Sequence, residues 1–144
     1  MRWGIAFVAA LLVATVCGTA ASTHFVLEAL EATGTEIPLA DRGPAFVADL
    51  IGLGPSYAGL AAPALLVFFL LSSRLARMSG VPSLWLHAAA GGLALLVLMA
   101  LLPLVFGVMP ISGARSSGGL AAQVAAGVLA GIVFGLVRGR DPLA

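Results

Sequence analysis

The sequence predicts an all-α fold: a four-helix transmembrane bundle with both termini inside the cell, and a short amphipathic outer segment between spans one and two. Three observations predict it. Four blocks, 5–21, 58–71, 84–108 and 120–137, contain no Asp, Glu, Lys or Arg, and a membrane-crossing helix needs about 20 apolar residues. Hydrophobic residues make up 61% of the chain and charged residues only 9%, where soluble domains carry about 25% charged residues. The mean hydropathy of +1.14 agrees. A chain this apolar satisfies its backbone N–H and C=O groups internally, as helices. Its 144 residues form one integral membrane domain without room for a second, soluble one.

The first span is predicted over 5–22. Ala10, Ala14, Gly18 and Ser22 recur every fourth residue along it, which lays down a flat stripe where another helix can approach closely. Helical character continues beyond the membrane to about Ala32 and ends near Gly34. A rival reading makes this block a cleaved signal peptide, with Arg2 as its basic start, 5–17 as its apolar stretch and 19–21 as its cleavage site. The apolar stretch runs past the usual length, so a retained span is the expectation.

The outer connection, 23–56, is the one sizeable polar region. Pro38 and the 41–44 turn reset the chain direction. Pro44 then suits the first turn of a short helix over 45–51. There Phe46, Val47, Leu50 and Ile51 sit beside Asp49, the pattern of an interfacial amphipathic segment. The second span, 57–73, is expected to bend at Pro63. The third, 84–108, holds Gly91-Gly92 and Pro103. The fourth, 118–137, carries Gly119, Gly127, Gly131 and Gly135, with Gln123 filling the missing step. Both small-residue stripes should face protein, within this chain rather than on a neighbour.

Charge sets the predicted topology. Arg2, Arg74, Arg77, Arg138 and Arg140 flank one side, and only Arg42 and Arg115 the other. The positive-inside rule therefore places both termini in the cytoplasm. Trp3 and Trp85 are expected as aromatic anchors at the inner interface and Tyr57 at the outer one. A net charge of +1 gives no footprint for nucleic acid, and the single Cys17 excludes an intramolecular disulfide.

Candidate chemistry is sparse. His24, Glu28 and Glu31 follow i, i+4, i+7 spacing and share a helix face just outside the membrane; an imidazole with two carboxylates is a partial metal set, and a solvated polar face is the plainer reading. Arg115, with the Ser116-Ser117-Gly118-Gly119 run opening the fourth span and Gln123 further in, is the preferred place for a ligand or anion. An ion pair between the outer arginines and the outer acids is the plainer role for Arg115 and Arg42. His87, well inside an apolar block, is expected to be neutral and hydrogen bonded. No span contains a carboxylate, and no nucleophile sits in sequence with a base. No catalytic residue and no cofactor are expected.

The runs Ser22-Thr23-His24-Phe25-Val26-Leu27, Ile37-Pro38-Leu39-Ala40-Asp41-Arg42, Asp49-Leu50-Ile51-Gly52-Leu53-Gly54-Pro55-Ser56-Tyr57 and Pro110-Ile111-Ser112-Gly113-Ala114-Arg115 resemble small four-span inner-membrane proteins of proteobacteria. The resemblance covers most of the chain. It implies a multi-pass protein of the bacterial inner membrane and brings no mechanism with it. The expected function is therefore a non-enzymatic accessory or structural partner of a larger membrane assembly, in contact with the lipid bilayer and with a membrane-protein partner or further copies of itself. The alternative is a small oligomeric transporter or channel for a neutral or lipidic solute.

Overall fold

The computed structural model describes residues 2–108 and 110–139. Among them five α-helices form and no strand: α1 (Arg2–Glu31), α2 (Leu39–Gly52), α3 (Gly54–Ser79), α4 (Ser83–Phe106) and α5 (Ser117–Arg138), with a 3-10 turn at Ser112–Ala114 leading into α5. α1, α3, α4 and α5 are each long and apolar enough to cross a membrane. Each predicted block coincides with one of these four helices; α1 runs on to Glu31, and α4 ends at Phe106, two residues before the predicted block does. α1 has 30 residues, about 45 Å of helix, and so overshoots a hydrocarbon layer of about 30 Å. The surplus carries Glu28 and Glu31.

α5 packs between α1 and α4, and α3 closes the ring against α4 and α1. One end of the bundle gathers Arg2, Arg74, Arg77 and Arg138, while the other bears Glu28, Glu31, Asp41 and Asp49 with Arg42 and Arg115. These are called the basic and acidic ends below. Arg140, counted above with the basic flank, lies outside the described residues.

The size distribution inside the bundle is that of a membrane protein. Most buried apolar residues are alanines, among them Ala6, Ala10, Ala14, Ala61, Ala94 and Ala130, while Ile5, Leu12, Leu70, Leu101, Leu104 and Leu136 point outward. Lipid tails are as apolar as leucine, so nothing drives large side chains inward, and close contact between helices favours small ones. The large exceptions in the core are Tyr57, Leu65, Phe69, Leu95, Met99, Leu102, Ile111 and Phe134.

The two small-residue stripes are used within the chain. A Cβ on Gly127 would overlap the Gly91 carbonyl, and one on Gly131 would overlap the His87 carbonyl. Gly91-Gly92 of α4 is thus the surface that receives α5. Gly119 lies against Gly113, and Gly18 of α1 against the Tyr57 ring; Gly135 meets the Leu84 side chain instead. Ala10 and Ala14 are fully buried.

Three expectations need correction. Tyr57 is no interfacial anchor: it is 1% exposed, because its hydroxyl has a partner inside the bundle. Trp3 is only half-exposed, stacked on Phe7 at 5.5 Å and edge-on to Phe134 at 5.7 Å; Trp85, at 70% exposed, remains on the surface. The short helix starts at Leu39, not after Pro44, which lies inside α2. Gly43 explains the tolerance, since the proline ring clashes with the Cβ of the residue before it and glycine has none. Both residues are exposed, so water can take up the freed carbonyl. Phe46 and Leu50 are half-buried, while Val47 and Ile51 stay exposed at 52% and 73%.

Candidate functional site

Polar side chains meet inside the bundle at two levels. Toward the acidic end, the Tyr57 hydroxyl donates to Gln123 Oε1 at 2.6 Å, and Gln123 Nε2 donates to the Gly18 carbonyl at 2.9 Å. One amide thus ties α1, α3 and α5 together, fully shielded from solvent. Just above, the Thr23 hydroxyl lies 2.7 Å from Asp49 Oδ2 and 3.0 Å from the Thr19 carbonyl, which fastens α2 to α1.

Toward the basic end, His87 Nδ1 lies 3.0 Å from the Ser72 hydroxyl, and Arg138 Nη1 donates to the Ser73 hydroxyl at 2.5 Å. The His87 ring also stands edge-on to Phe134, at 5.0 Å between centroids, and Phe134 stacks on Phe69 at 4.3 Å. With Trp3 on its other side, Phe134 touches a ring from each of the other three spans. Tyr57 to Ser72 is 15 residues of α3, about 22 Å, so the two levels lie near opposite ends of the bundle. Between them Leu65, Ala94, Leu95 and Ala130 are fully buried. The middle of the bundle is filled with apolar side chains.

The sequence placed His87 as a hydrogen-bonded group but did not name its partner. A signal was there: Ser72 and His87 flank the 80–82 turn, each within three turns of helix from it, where residues of an antiparallel hairpin can face each other. The Ser72 hydroxyl donates to the Phe69 carbonyl at 3.2 Å and lies 3.0 Å from His87 Nδ1, and both side chains are 5% exposed or less.

The residues singled out in the sequence separate into distinct places. Glu31 does not join His24: it pairs with Arg42 at 2.5 Å, with both side chains about one-third exposed. Among the described residues no group of three His, Cys, Asp or Glu side chains is placed to hold a metal ion. His24 instead lines a small pocket of about 140 Å3 with Thr23, Leu27, Arg42 and Phe46, and Glu28 is exposed. Arg42→Gln is expected to change unfolding stability by less than about 1 kcal/mol, an effect that fades with added salt; denaturant titration at two ionic strengths checks it.

Arg115, Ser116 and Ser117 are exposed neighbours at the start of α5. The Ser116 hydroxyl accepts the Gly119 N–H at 3.0 Å, so it caps its own helix. Gln123 lies about 9 Å deeper along α5, with its amide engaged as described, and does not belong to the same group.

Four helices of this length and apolarity, buried small residues and an outward shell of large ones define a multi-pass integral membrane protein with a helical bundle fold. No protein-family model, curated protein or solved structure matches the chain.

Proposed function

We propose that the protein is a non-enzymatic accessory or structural partner of a larger assembly in a bacterial inner membrane, with both termini in the cytoplasm. The observation that carries this reading is how the bundle's interior is used. Gln123, Tyr57, His87, Ser72, Ser73 and Arg138 bond to one another or to backbone across helices, and the layer between the two polar levels is packed with apolar side chains. The interior serves cohesion, which leaves the outer surface for function. The apolar edge of α2 is the part of that surface outside the spans, with Leu39 at 84%, Val47 at 52% and Ile51 at 73% exposed. The five-to-two distribution of arginines and the resemblance to four-span inner-membrane proteins support the orientation and the location.

Native mass spectrometry of the protein, extracted gently from its own membrane, tests the proposal. A stoichiometric complex with another membrane protein is the expected result, and Val47→Asp with Ile51→Asp should reduce it. A lone chain or a homo-oligomer at native expression level overturns the accessory role. Solute transport would then be the reading to test, through a path between protomers, by flux in proteoliposomes.

A further inference from the structure

We propose that the basic end carries a binding groove for the headgroup of an anionic phospholipid. A groove of about 750 Å3 opens between the end of α3, the α3–α4 turn, the first turn of α4 and the last turn of α5, and Ala76, Val81, Ser83, Leu84, Trp85 and Leu136 are among its lining residues. The sequence leaves this space open for identifiable reasons. α3 stops at Gly80, whose φ of 65° is left-handed, and α4 starts only three residues later. On the facing wall Gly135 of α5 packs closely on Leu84, and Gly139, just past the end of α5, has no side chain to enter the groove. The volume is in the range of small-ligand sites, about 300–1,000 Å3.

Charge complementarity identifies the occupant. The lining residues themselves are uncharged, but Arg77 follows Ala76 in the sequence and Arg138 precedes Gly139. Arg2 reaches over from α1, its Nη1 lying 3.9 Å from where a Cβ on Gly139 would be. Arg74 is one turn back on α3. The described residues of this end include no carboxylate; Asp141 lies outside them. Arg2, Arg74 and Arg77 are exposed, while Arg138 is engaged with Ser73.

The groove's position makes the anion a lipid. It lies where three spans end, at headgroup depth, and its surroundings open sideways onto apolar surface: Leu136 is 64% exposed, Leu75 50% and Met78 84%. Trp85 has the amphipathic character favoured at that level. Basic pockets between transmembrane helices take anionic headgroups in this way, the arginines meeting the phosphate while the acyl chains run down the outer wall. No side chain caps the first turn of α4; the Trp85 N–H bonds the Pro82 carbonyl, and the Ser83 and Leu84 N–H groups add donors on the same side.

The full chain, reconstituted in nanodiscs of phosphatidylcholine with one part in ten phosphatidylglycerol, tests this by native mass spectrometry of the lipids that stay bound. Phosphatidylglycerol should be retained well above its share. Arg2→Gln and Arg77→Gln should each cut the preference about fivefold, the effect of one basic residue at an anionic surface. The deciding variant is Ala76→Phe, which keeps every arginine but fills the groove, and it should abolish the preference. Ser83→Phe, on the opposite wall, does the same job if Ala76→Phe does not reconstitute. Retention in proportion to abundance by the unaltered protein overturns the proposal. So does a preference that survives filling the groove, since diffuse surface charge would then be responsible.

Discussion

Gly127→Ala destabilises the bundle by about 1–3 kcal/mol, although alanine is the better helix former. Alanine gains about 1 kcal/mol over glycine in a helix interior, so the expected loss is a packing effect large enough to reverse that gain. Its source is the α4 backbone. A Cβ at 127 overlaps the Gly91 carbonyl oxygen and lies 2.8 Å from the carbonyl carbon and 3.1 Å from Gly92 Cα. Backbone atoms cannot swing aside as a side chain does, so the helices must separate, at the cost typical of an overfilled core. Gly59→Ala is the matched control. Gly59 lies within α3, and a Cβ there meets nothing within 4 Å; the change should be neutral or stabilising. Unfolding in mixed micelles against rising dodecyl sulfate, followed by circular dichroism, measures both. Equal responses of the two variants would show that α4 and α5 are not in backbone contact. The result also governs how partner binding is tested. Replacing Gly127 and Gly131 together by leucine disrupts the bundle itself, so a lost complex in that variant says nothing of a partner surface.

The spans were legible because charge-free length and the absence of water leave a chain few choices. Small-residue stripes were legible too, since glycine and alanine every fourth residue are informative where large side chains have no reason to be buried. What each stripe packs against was less visible, yet the helical hairpin contained it. Gly91 with Gly127, and His87 with Gly131, are both centred on position 109, as residues facing across an antiparallel pair must be. Tyr57 was misread because a tyrosine at the edge of an apolar block has two satisfactory places, the interface or the core. Which it takes depends on whether its hydroxyl finds a buried acceptor. That acceptor, Gln123, is 66 residues away in the chain, and no local pattern connects them. The His24, Glu28 and Glu31 face illustrates the opposite limit. Helical spacing put them on one side of α1, but a residue on another element, Arg42, decided where Glu31 turns.

Tyr57, Gln123 and Gly18 are expected to behave as one unit, and a double-mutant cycle makes that measurable. Gln123→Leu removes the acceptor of the Tyr57 hydroxyl and the donor to the Gly18 carbonyl. The carbonyl remains in its helix, but the hydroxyl is left buried with an unused proton, and an abandoned buried donor costs about 1–3 kcal/mol. Tyr57→Phe takes that hydroxyl away and leaves the amide its bond to α1, so its cost should be smaller. In the double variant no orphaned group remains. Gln123→Leu should therefore cost less on the Tyr57→Phe background, with a coupling energy of about 0.6–1.7 kcal/mol, the range found for hydrogen bonds between helices in a bilayer. Additive losses would mean that the 2.6 Å contact brings no net stability. Gly18→Ala attacks the same unit by shape. A Cβ there overlaps the Tyr57 hydroxyl and ring carbon and lies 3.0 Å from Gln123 Oε1, so the ring can give way only by leaving its acceptor. Gly18→Ala should thus be partly relieved by Tyr57→Phe, which removes the outermost clashing atom, and should remain fully costly beside an alteration at the basic end such as Ser73→Ala. That selective relief would show that α1, α3 and α5 are registered through this one amide, a property separable from the general closeness of small residues.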